Sequence, residues 1–245
     1  MKPPVIIAHR GASTFAPENT MSAFKKAIEQ GAGGIELDVQ LSVDGNLVVI
    51  HDEKLDRTSN GKGLVRDKTL KELQSLDFGS WFSKDFQNER IPILDEVMQL
   101  FSSWNGMLNI EIKNGPIFYP GIENKVADTI RRYRMADRTI VSSFNHYSLV
   151  EIKRIDPGIK TGVLYMEGLY EPWTYAKHVG AEAIHPLFYN IVPEIMKGCK
   201  SNGIIVNPFT VDQPDYIKMI AMAGVDGIIT NVPDVALKII KEIGG

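Results

Sequence analysis

Short runs of β-branched and other apolar residues alternate with longer amphipathic stretches along the chain. Eight runs have the length and composition of buried strands; they cover 5–9, 33–39, 108–113, 139–144, 160–165, 181–186, 203–209 and 226–230. Most intervening stretches carry apolar residues at helical spacing; they cover 19–30, 94–104, 122–134, 145–155, 192–201 and 213–223. Several of these stretches open with residue types that begin helices, namely Asn19, Asn145, Pro193 and Pro214.

This alternation predicts the fold class. Repeated strand–helix units form a parallel sheet with helices outside it, and eight of them predict closure into an α/β (β/α)8 TIM barrel. No Gly-x-Gly-x-x-Gly follows any of the predicted strands, which disfavours the alternative of an open dinucleotide-binding sheet.

The alternation is interrupted after the second predicted strand. Asp44-Gly45 stands between two alternating apolar runs, which predicts a hairpin. If these two are the turn residues, Asp38 lies opposite His51. Residues 52–91 then have no place in the barrel, and we interpret them as a small inserted cap after strand 2. This segment carries a helix-like stretch and an aromatic group, which comprises Phe78, Trp81, Phe82 and Phe86.

Length and composition are those of one soluble globular domain over 1–245, since barrels of this kind use about 250 residues. With 27 Lys and Arg against 30 Asp and Glu, the chain has no basic field for nucleic acid or an anionic membrane. Cys199 is the single cysteine, so an internal disulfide is excluded, and we expect a cytoplasmic protein. No apolar run approaches the roughly 18 to 20 residues that span a bilayer. Oligomeric state is not predicted.

Acidic residues recur at one face of neighbouring predicted strands. Residues two apart on a strand share a face, so Glu36 and Asp38 point together. In the next strand Glu111 and Lys113 do the same. Active sites of these barrels lie at the carboxyl ends of the strands, where the first strand contributes His9 and Arg10.

Three carboxylates at one barrel mouth repel one another unless a cation joins them. Oxygen ligands without cysteine favour one hard divalent ion, Ca²⁺ or Mg²⁺, over Zn²⁺. The metal ligands predicted in this way are Glu36, Asp38 and Glu111. The alternative is a buried ion-pair network of the same acids with Arg10 and Lys113 and no metal.

His9 and His51 flank this acid cluster from different segments. Imidazole moves protons near neutral pH, so one ring can act as base and the other as acid. Cleavage of a P–O bond needs an activated nucleophile, a protonated leaving oxygen and neutralised phosphoryl charge. Arg10 is suited to clamp a phosphate oxygen if the first strand ends there, and Lys113 supplies a point charge.

The motifs, taken in order, resemble those of the glycerophosphodiester phosphodiesterase family. They are His9-Arg10-Gly11-Ala12, Pro17-Glu18-Asn19-Thr20, Glu36-Leu37-Asp38-Val39, Asp44-Gly45, His51-Asp52 and Glu111-Ile112-Lys113. The resemblance covers essentially the whole chain. It implies a TIM barrel that hydrolyses deacylated phospholipids, small soluble glycerophosphodiesters, to glycerol 3-phosphate and an alcohol. It also implies the same roles for the acids, the two histidines, Arg10 and Lys113.

One departure from the family's pattern concerns an aromatic residue. Where the family commonly has Trp-Thr-Val-Asn after the seventh strand, this chain has Phe209-Thr210-Val211-Asp212. We expect Phe209 to contact the glycerol or the leaving alcohol, or else to belong to the core.

Other functions use part of the same site. A lysophospholipase D-type reaction uses the same chemistry if the aromatic cap admits an acyl chain, and cleavage of another phosphodiester on the same barrel is a further alternative. A glycosidase needs two carboxylates, but leaves both histidines and Lys113 without a role and keeps its activity in EDTA. A non-catalytic barrel that binds metal and anions leaves His9 and His51 unexplained.

Overall fold

The computed structural model describes residues 3–244, which form nine strands and nine α-helices. The strands are β1 (Val5–His9), β2 (Gly34–Leu41), β3 (Leu47–Val49), β4 (Met107–Ile112), β5 (Thr139–Ser143), β6 (Lys160–Tyr165), β7 (Ala183–Pro186), β8 (Ile205–Val206) and β9 (Gly227–Thr230). The helices are α1 (Met21–Gln30), α2 (Leu70–Gln74), α3 (Leu94–Ser102), α4 (Ile122–Arg132), α5 (His146–Ile155), α6 (Pro172–His178), α7 (Pro193–Asn202), α8 (Pro214–Met222) and α9 (Pro233–Gly244).

The strands form a nearly closed parallel barrel, as the alternation predicts. Eight of the described strands pair in the order β8-β7-β6-β5-β4-β2-β1-β9, and β3 pairs with β2 outside this path. Backbone hydrogen bonds join the two ends of the order: Asp226 N–H donates to the Val206 carbonyl, Ile229 N–H to Pro208, and Val211 N–H to Ile229, at 3.0 Å each. The carboxyl ends of all eight strands therefore meet at one mouth.

Alternation along β2 and its neighbours separates the helix side from the inside of the barrel. Ile35, Leu37 and Val39 are buried in the main hydrophobic cluster with residues of α1 and α3. In that cluster the rings of Phe24 and Phe101 meet edge to face with centroids 5.9 Å apart. The positions between the three apolar residues of β2 point to the barrel axis, which is how the acids predicted above enter the interior.

The hairpin after β2 forms, but with a register one residue away from the predicted one. Val39 pairs with Val49 and Leu41 with Leu47, and Ile50 N–H donates to the Asp38 carbonyl. Asp38 is thus opposite Ile50 and not His51. The reason is a three-residue turn between Ser42 and Asn46 in place of a two-residue one, with Gly45 in the left-handed region at φ +78°.

Residues 52–91 contain α2 and two short 3-10 turns, Val65–Asp67 and Lys84–Phe86. They bury a small hydrophobic cluster of their own against β3, whose members include Val48, Leu55, Leu73 and Phe78. The segment is thereby fixed beside the strand end that carries His51.

Two helices and one helix start differ from the sequence patterns. The helices α6 and α9 are not among the predicted stretches. The cap of α1 is Thr20, whose side chain accepts a hydrogen bond from Ala23 N–H, and not Asn19; Asn145, Pro193 and Pro214 begin helices as expected. Across the described residues, every helix is too short or too polar to cross a membrane.

Candidate active site

Strand register brings the three acids together at the mouth. Within the parallel pairs, His9 lies beside Glu36, and Asp38 beside Glu111. Glu36, Asp38 and Glu111 are all buried, and each offers a carboxylate oxygen within 4.8 Å of the other two. These are the three acids that the alternation of side chains along the predicted strands brings to one face.

Arg10 reaches the cluster because β1 ends at His9. Its backbone is left-handed at φ +57°, so the side chain departs from strand alternation. Its backbone N–H donates to Glu36 Oε2 at 3.0 Å, its Nη1 donates to Glu18 Oε1 at 2.8 Å, and its Nε lies 3.4 Å from Asp38 Oδ2. The sequence predicts Arg10 at the site only if the first strand ends there, and the structure shows that it does.

Lys113 supplies the second positive charge. Its Nζ lies 2.8 Å from Glu111 Oε1 and 3.9 Å from Asp38 Oδ1. Asn19 adds neutral hydrogen bonds, since its side-chain amide donates to Asp38 Oδ2 at 2.8 Å and its oxygen accepts from Asp38 N–H. Asp38 therefore lies at the centre of the polar network.

The pKa values of the acids show that positive charge is unevenly shared. Burial favours the neutral acid at Asp38, but Arg10 and then Lys113 outweigh it and lower the pKa to about 2. Burial, then the charges of Asp38 and Glu111, raise the pKa of Glu36 well above its ordinary value. Burial and Asp38 also raise the pKa of Glu111. Arg10 and Lys113 thus stabilise the charged form of Asp38, whereas Glu36 and Glu111 are shifted towards their neutral forms.

A divalent cation fits this arrangement. Glu36 Oε1 and Asp38 Oδ1 are buried and have no hydrogen-bond partner among the described residues, a costly condition for a carboxylate oxygen. Arg10 and Lys113 pair with the same acids, but neither donates a hydrogen bond to these two oxygens. Clustered carboxylate oxygens are the ligands that Ca²⁺ and Mg²⁺ prefer.

His9 has one ring nitrogen fixed by the protein. The Asn231 side-chain NH₂ donates to the Asp212 carboxylate at 2.7 Å, so its oxygen faces His9 Nδ1, also at 2.7 Å. Nδ1 must then carry the proton, and Nε2, 3.9 Å from Glu36 Oε2, is the unprotonated nitrogen of the neutral ring. Burial, followed by the Arg10 charge, lowers the pKa of His9 to about 4.

His51 is oriented in the same manner. Its Nδ1 donates to Asp52 Oδ1 at 2.7 Å. Arg57 in turn donates to Asp52 and to Glu18 through four hydrogen bonds of 2.7 to 2.9 Å. These bonds hold the pKa of Asp52 well below its usual range, so Asp52 is the charged acceptor that keeps the His51 ring in place.

Phe209 does not join the carboxylate cluster. Its ring packs edge to face on Phe144, with centroids 5.8 Å apart, and it is half-buried. A cavity of about 830 Å³ opens at the opposite end of the barrel, near Met107, Lys160 and Ile205, away from the strand ends where the acids lie.

Several residues of the network were not predicted from the sequence as site residues. Asp52, Arg57, Asp212 and Asn231 act through side chains that meet only in the folded chain. Asp52 follows His51 directly in one of the quoted motifs, and Asp212 ends the quoted segment that departs from the family's pattern; these two positions are the local signals among them.

Comparison with known proteins agrees with the fold and the motifs. The model of the glycerophosphoryl diester phosphodiesterase family matches residues 9–235. A glycerophosphodiester phosphodiesterase of Caldanaerobacter subterraneus subsp. tengcongensis is 50% identical over 240 residues, covering 98% of this chain and 99% of the relative. One of Bacillus altitudinis is 44% identical, with 97% and 98% covered.

Solved structures give the same result. An Oleispira antarctica phosphodiesterase in complex with the product sn-glycerol-3-phosphate superposes with a TM-score of 0.89 at 30% identity, over 98% of this chain and 97% of that one. A glycerophosphodiester phosphodiesterase of Agrobacterium tumefaciens gives 0.86 at 32% identity, over 96% and 99%. The family match and the full-length relatives together establish that the chain belongs to the glycerophosphoryl diester phosphodiesterase family and is an enzyme of that class.

Proposed function

We propose that this enzyme hydrolyses small glycerophosphodiesters, such as glycerophosphocholine and glycerophosphoethanolamine, to sn-glycerol 3-phosphate and an alcohol. One divalent cation, Ca²⁺ or Mg²⁺, is held by Glu36, Asp38 and Glu111, and His9 with His51 form the acid–base pair. The observation that carries the proposal is the cluster of buried acids with unpartnered oxygens, flanked by two imidazoles that are each fixed through Nδ1. The product bound by the Oleispira antarctica relative supports it.

The charged residues have separate tasks in this scheme. A bound cation neutralises phosphoryl charge and orients the phosphate. Arg10 and Lys113, which already pair with the acids, are the side chains available to bind phosphate oxygens. A phosphate bound in this way would lie beside the acid cluster that His9 and His51 flank.

The two imidazoles move the protons. One Nε2 takes a proton from the nucleophile, whose oxygen bonds to phosphorus while the P–O bond to the alcohol breaks. Attack by water gives glycerol 3-phosphate directly, whereas attack by the neighbouring glycerol hydroxyl gives a cyclic phosphate that water then opens to glycerol 3-phosphate. The other ring gives a proton to the departing oxygen. With both Nδ1 atoms bonded to protein acceptors, both Nε2 atoms remain for this exchange.

We further propose that the chain is one domain over 1–245, in which residues 52–91 are an insertion that supports the His51 side. Arg57, which holds Asp52, comes from this segment. Phe209 is proposed to contact the substrate beside the cluster, as part of an aromatic wall with Phe144.

Release of glycerol 3-phosphate from glycerophosphocholine and glycerophosphoethanolamine tests the proposal, measured with Ca²⁺, with Mg²⁺ and with EDTA. We expect release with a cation and its loss in EDTA. His9→Ala and His51→Ala should each lower kcat by about 10²- to 10⁴-fold without altering the fold. His178→Ala, at an exposed position on α6, is the control. Full activity in EDTA would reject the metal, and near-full activity of either variant would reject that histidine's role.

A further inference from the structure

A groove of about 660 Å³ opens beside the carboxylate cluster, between the ends of β4 and β5. Glu111 and Lys113 line its buried end. Phe118, Phe144 and Tyr147 line its open end, with 66%, 46% and 88% of their surface exposed. Its volume is that of a small-molecule site, roughly 300 to 1,000 Å³, and it begins where the phosphate of the proposed substrate would lie.

The polar side chains of the groove wall are engaged within the protein. The Asn114 NH₂ donates to Glu123 at 2.9 Å and to Ser148 at 3.1 Å. The Asn145 NH₂ donates to a backbone carbonyl at 2.8 Å, and its oxygen accepts from a backbone N–H of α5. Ser143 donates to the last carbonyl of β4 at 2.7 Å. Apart from the paired charges of Glu111 and Lys113 at its buried end and the rim hydroxyl of Tyr147, the groove offers aromatic surface.

This surface is poorly suited to the glycerol half of the substrate. Glycerol carries hydroxyl groups, and burying a hydroxyl without a hydrogen-bond partner costs free energy. A quaternary ammonium group has no hydrogen-bond donor and presents methyl groups around its charge. Such a group gains from contact with aromatic faces, both through apolar burial and through cation–π attraction.

We propose that this groove is the subsite for the leaving alcohol, and that Phe118, Phe144 and Tyr147 make the enzyme prefer an alcohol ending in a quaternary ammonium group. Alcohols that end in hydroxyls or in a primary ammonium group are disfavoured, because the wall has few groups to bind them. The proposal rests on the proposed function, since it assigns one half of the same substrate to a place beside the same cluster. Phe144 joins this wall to Phe209.

The test is the ratio of kcat/KM for glycerophosphocholine to kcat/KM for glycerophosphoethanolamine, with glycerophosphoglycerol as a third substrate. Phe118→Ala and Tyr147→Ala are suitable changes because both side chains are largely exposed and their loss leaves the core intact. Each should lower the ratio about two- to fivefold, and the double variant about tenfold, mainly by slowing the choline substrate. Tyr170→Ala, which is 91% exposed in the loop after β6, is the matched control and should keep the wild-type ratio.

The failures of the two proposals are distinguishable. If the wild type cleaves all three substrates equally well, or if the double variant keeps the wild-type ratio, the groove is not the selective subsite, although the hydrolase function stands. If the wild type releases no glycerol 3-phosphate from any of them with either cation, both proposals are overturned.

Discussion

We expect the Glu36→Gln variant to be more stable than the wild type without a metal, and less stable than the wild type when a metal is bound. Without a cation, the Glu36 carboxylate is buried beside Asp38 and Glu111, and one of its oxygens has no partner. Glutamine keeps the oxygen that accepts from Arg10 N–H and removes the charge. With a cation, the same change removes one of three charged ligands.

The magnitudes follow from these contacts. An unsatisfied buried polar atom costs about 1 to 3 kcal/mol, of which we expect Glu36→Gln to recover about 1 kcal/mol in EDTA, or roughly 2 to 4 °C in Tm. Cation at 100 times its Kd stabilises the wild type by about 2.7 kcal/mol. The variant should lose most of that gain, because an amide is a weaker ligand than a carboxylate.

Thermal unfolding in EDTA and with saturating Ca²⁺ or Mg²⁺ measures both effects. Glu123→Gln is the control, since Glu123 is a buried acid that already accepts hydrogen bonds from Asn114 and Ser148 at 2.9 and 2.6 Å. It should be less stable than the wild type in both conditions and keep the full cation-induced shift. If Glu36→Gln behaves as Glu123→Gln does, the reasoning about the cluster is wrong.

Three further outcomes are expected. Asp52→Asn should lower kcat about 10- to 100-fold by releasing the His51 ring, whose Nδ1 lies 2.7 Å from Asp52; unchanged steady-state rates would contradict this. Burial lowers the pKa of His185 from 6.5 to about 3, so below pH 6.5 only the unfolded chain binds a proton there and stability falls as pH drops towards 3. Denaturant unfolding across this window should be less pH-dependent in His185→Gln, by up to about 1.4 kcal/mol per pH unit, and equal slopes would refute the assignment. Gly11→Ala should cost about 1 to 3 kcal/mol in calorimetry, because Gly11 has φ +82° and an added Cβ would lie 2.7 Å from the backbone of Ala23; an unchanged Tm would show that the turn adjusts.

The clustering of Glu36, Asp38 and Glu111 could be predicted because it depends on two regular properties. Side chains alternate along a strand, and parallel strands that alternate with helices end at one mouth. Neither property needs knowledge of a distant contact. The same argument placed His9 beside these acids, and the hairpin placed His51 near them although its register was predicted one residue too far.

The remaining parts of the site depend on contacts that no local pattern contains. The left-handed backbone of Arg10 decides where its guanidinium goes, and strand parity alone predicts the opposite face. Asn231 meets His9 across 222 positions of the chain, and Arg57 reaches Glu18 across 39. Such partners are selected by the closed barrel and by the packing of residues 52–91, and they appear only once the chain is folded.

The join between β8 and β9, which closes the barrel, has a consequence for how the enzyme loses activity on heating. β8 has only two residues in its ladder, and three backbone hydrogen bonds, with one more from Val206 N–H to the Asp226 carboxylate, close the circle. Segments held by so few contacts are the first parts of a sheet to open locally. Asp212 and Asn231, which hold the His9 ring, lie within two residues of Val211 and Ile229, which are hydrogen-bonded in this join. Warming should therefore loosen the contacts that orient the His9 imidazole while the rest of the barrel is still folded. We expect activity to be lost at a lower temperature than the one at which the barrel unfolds.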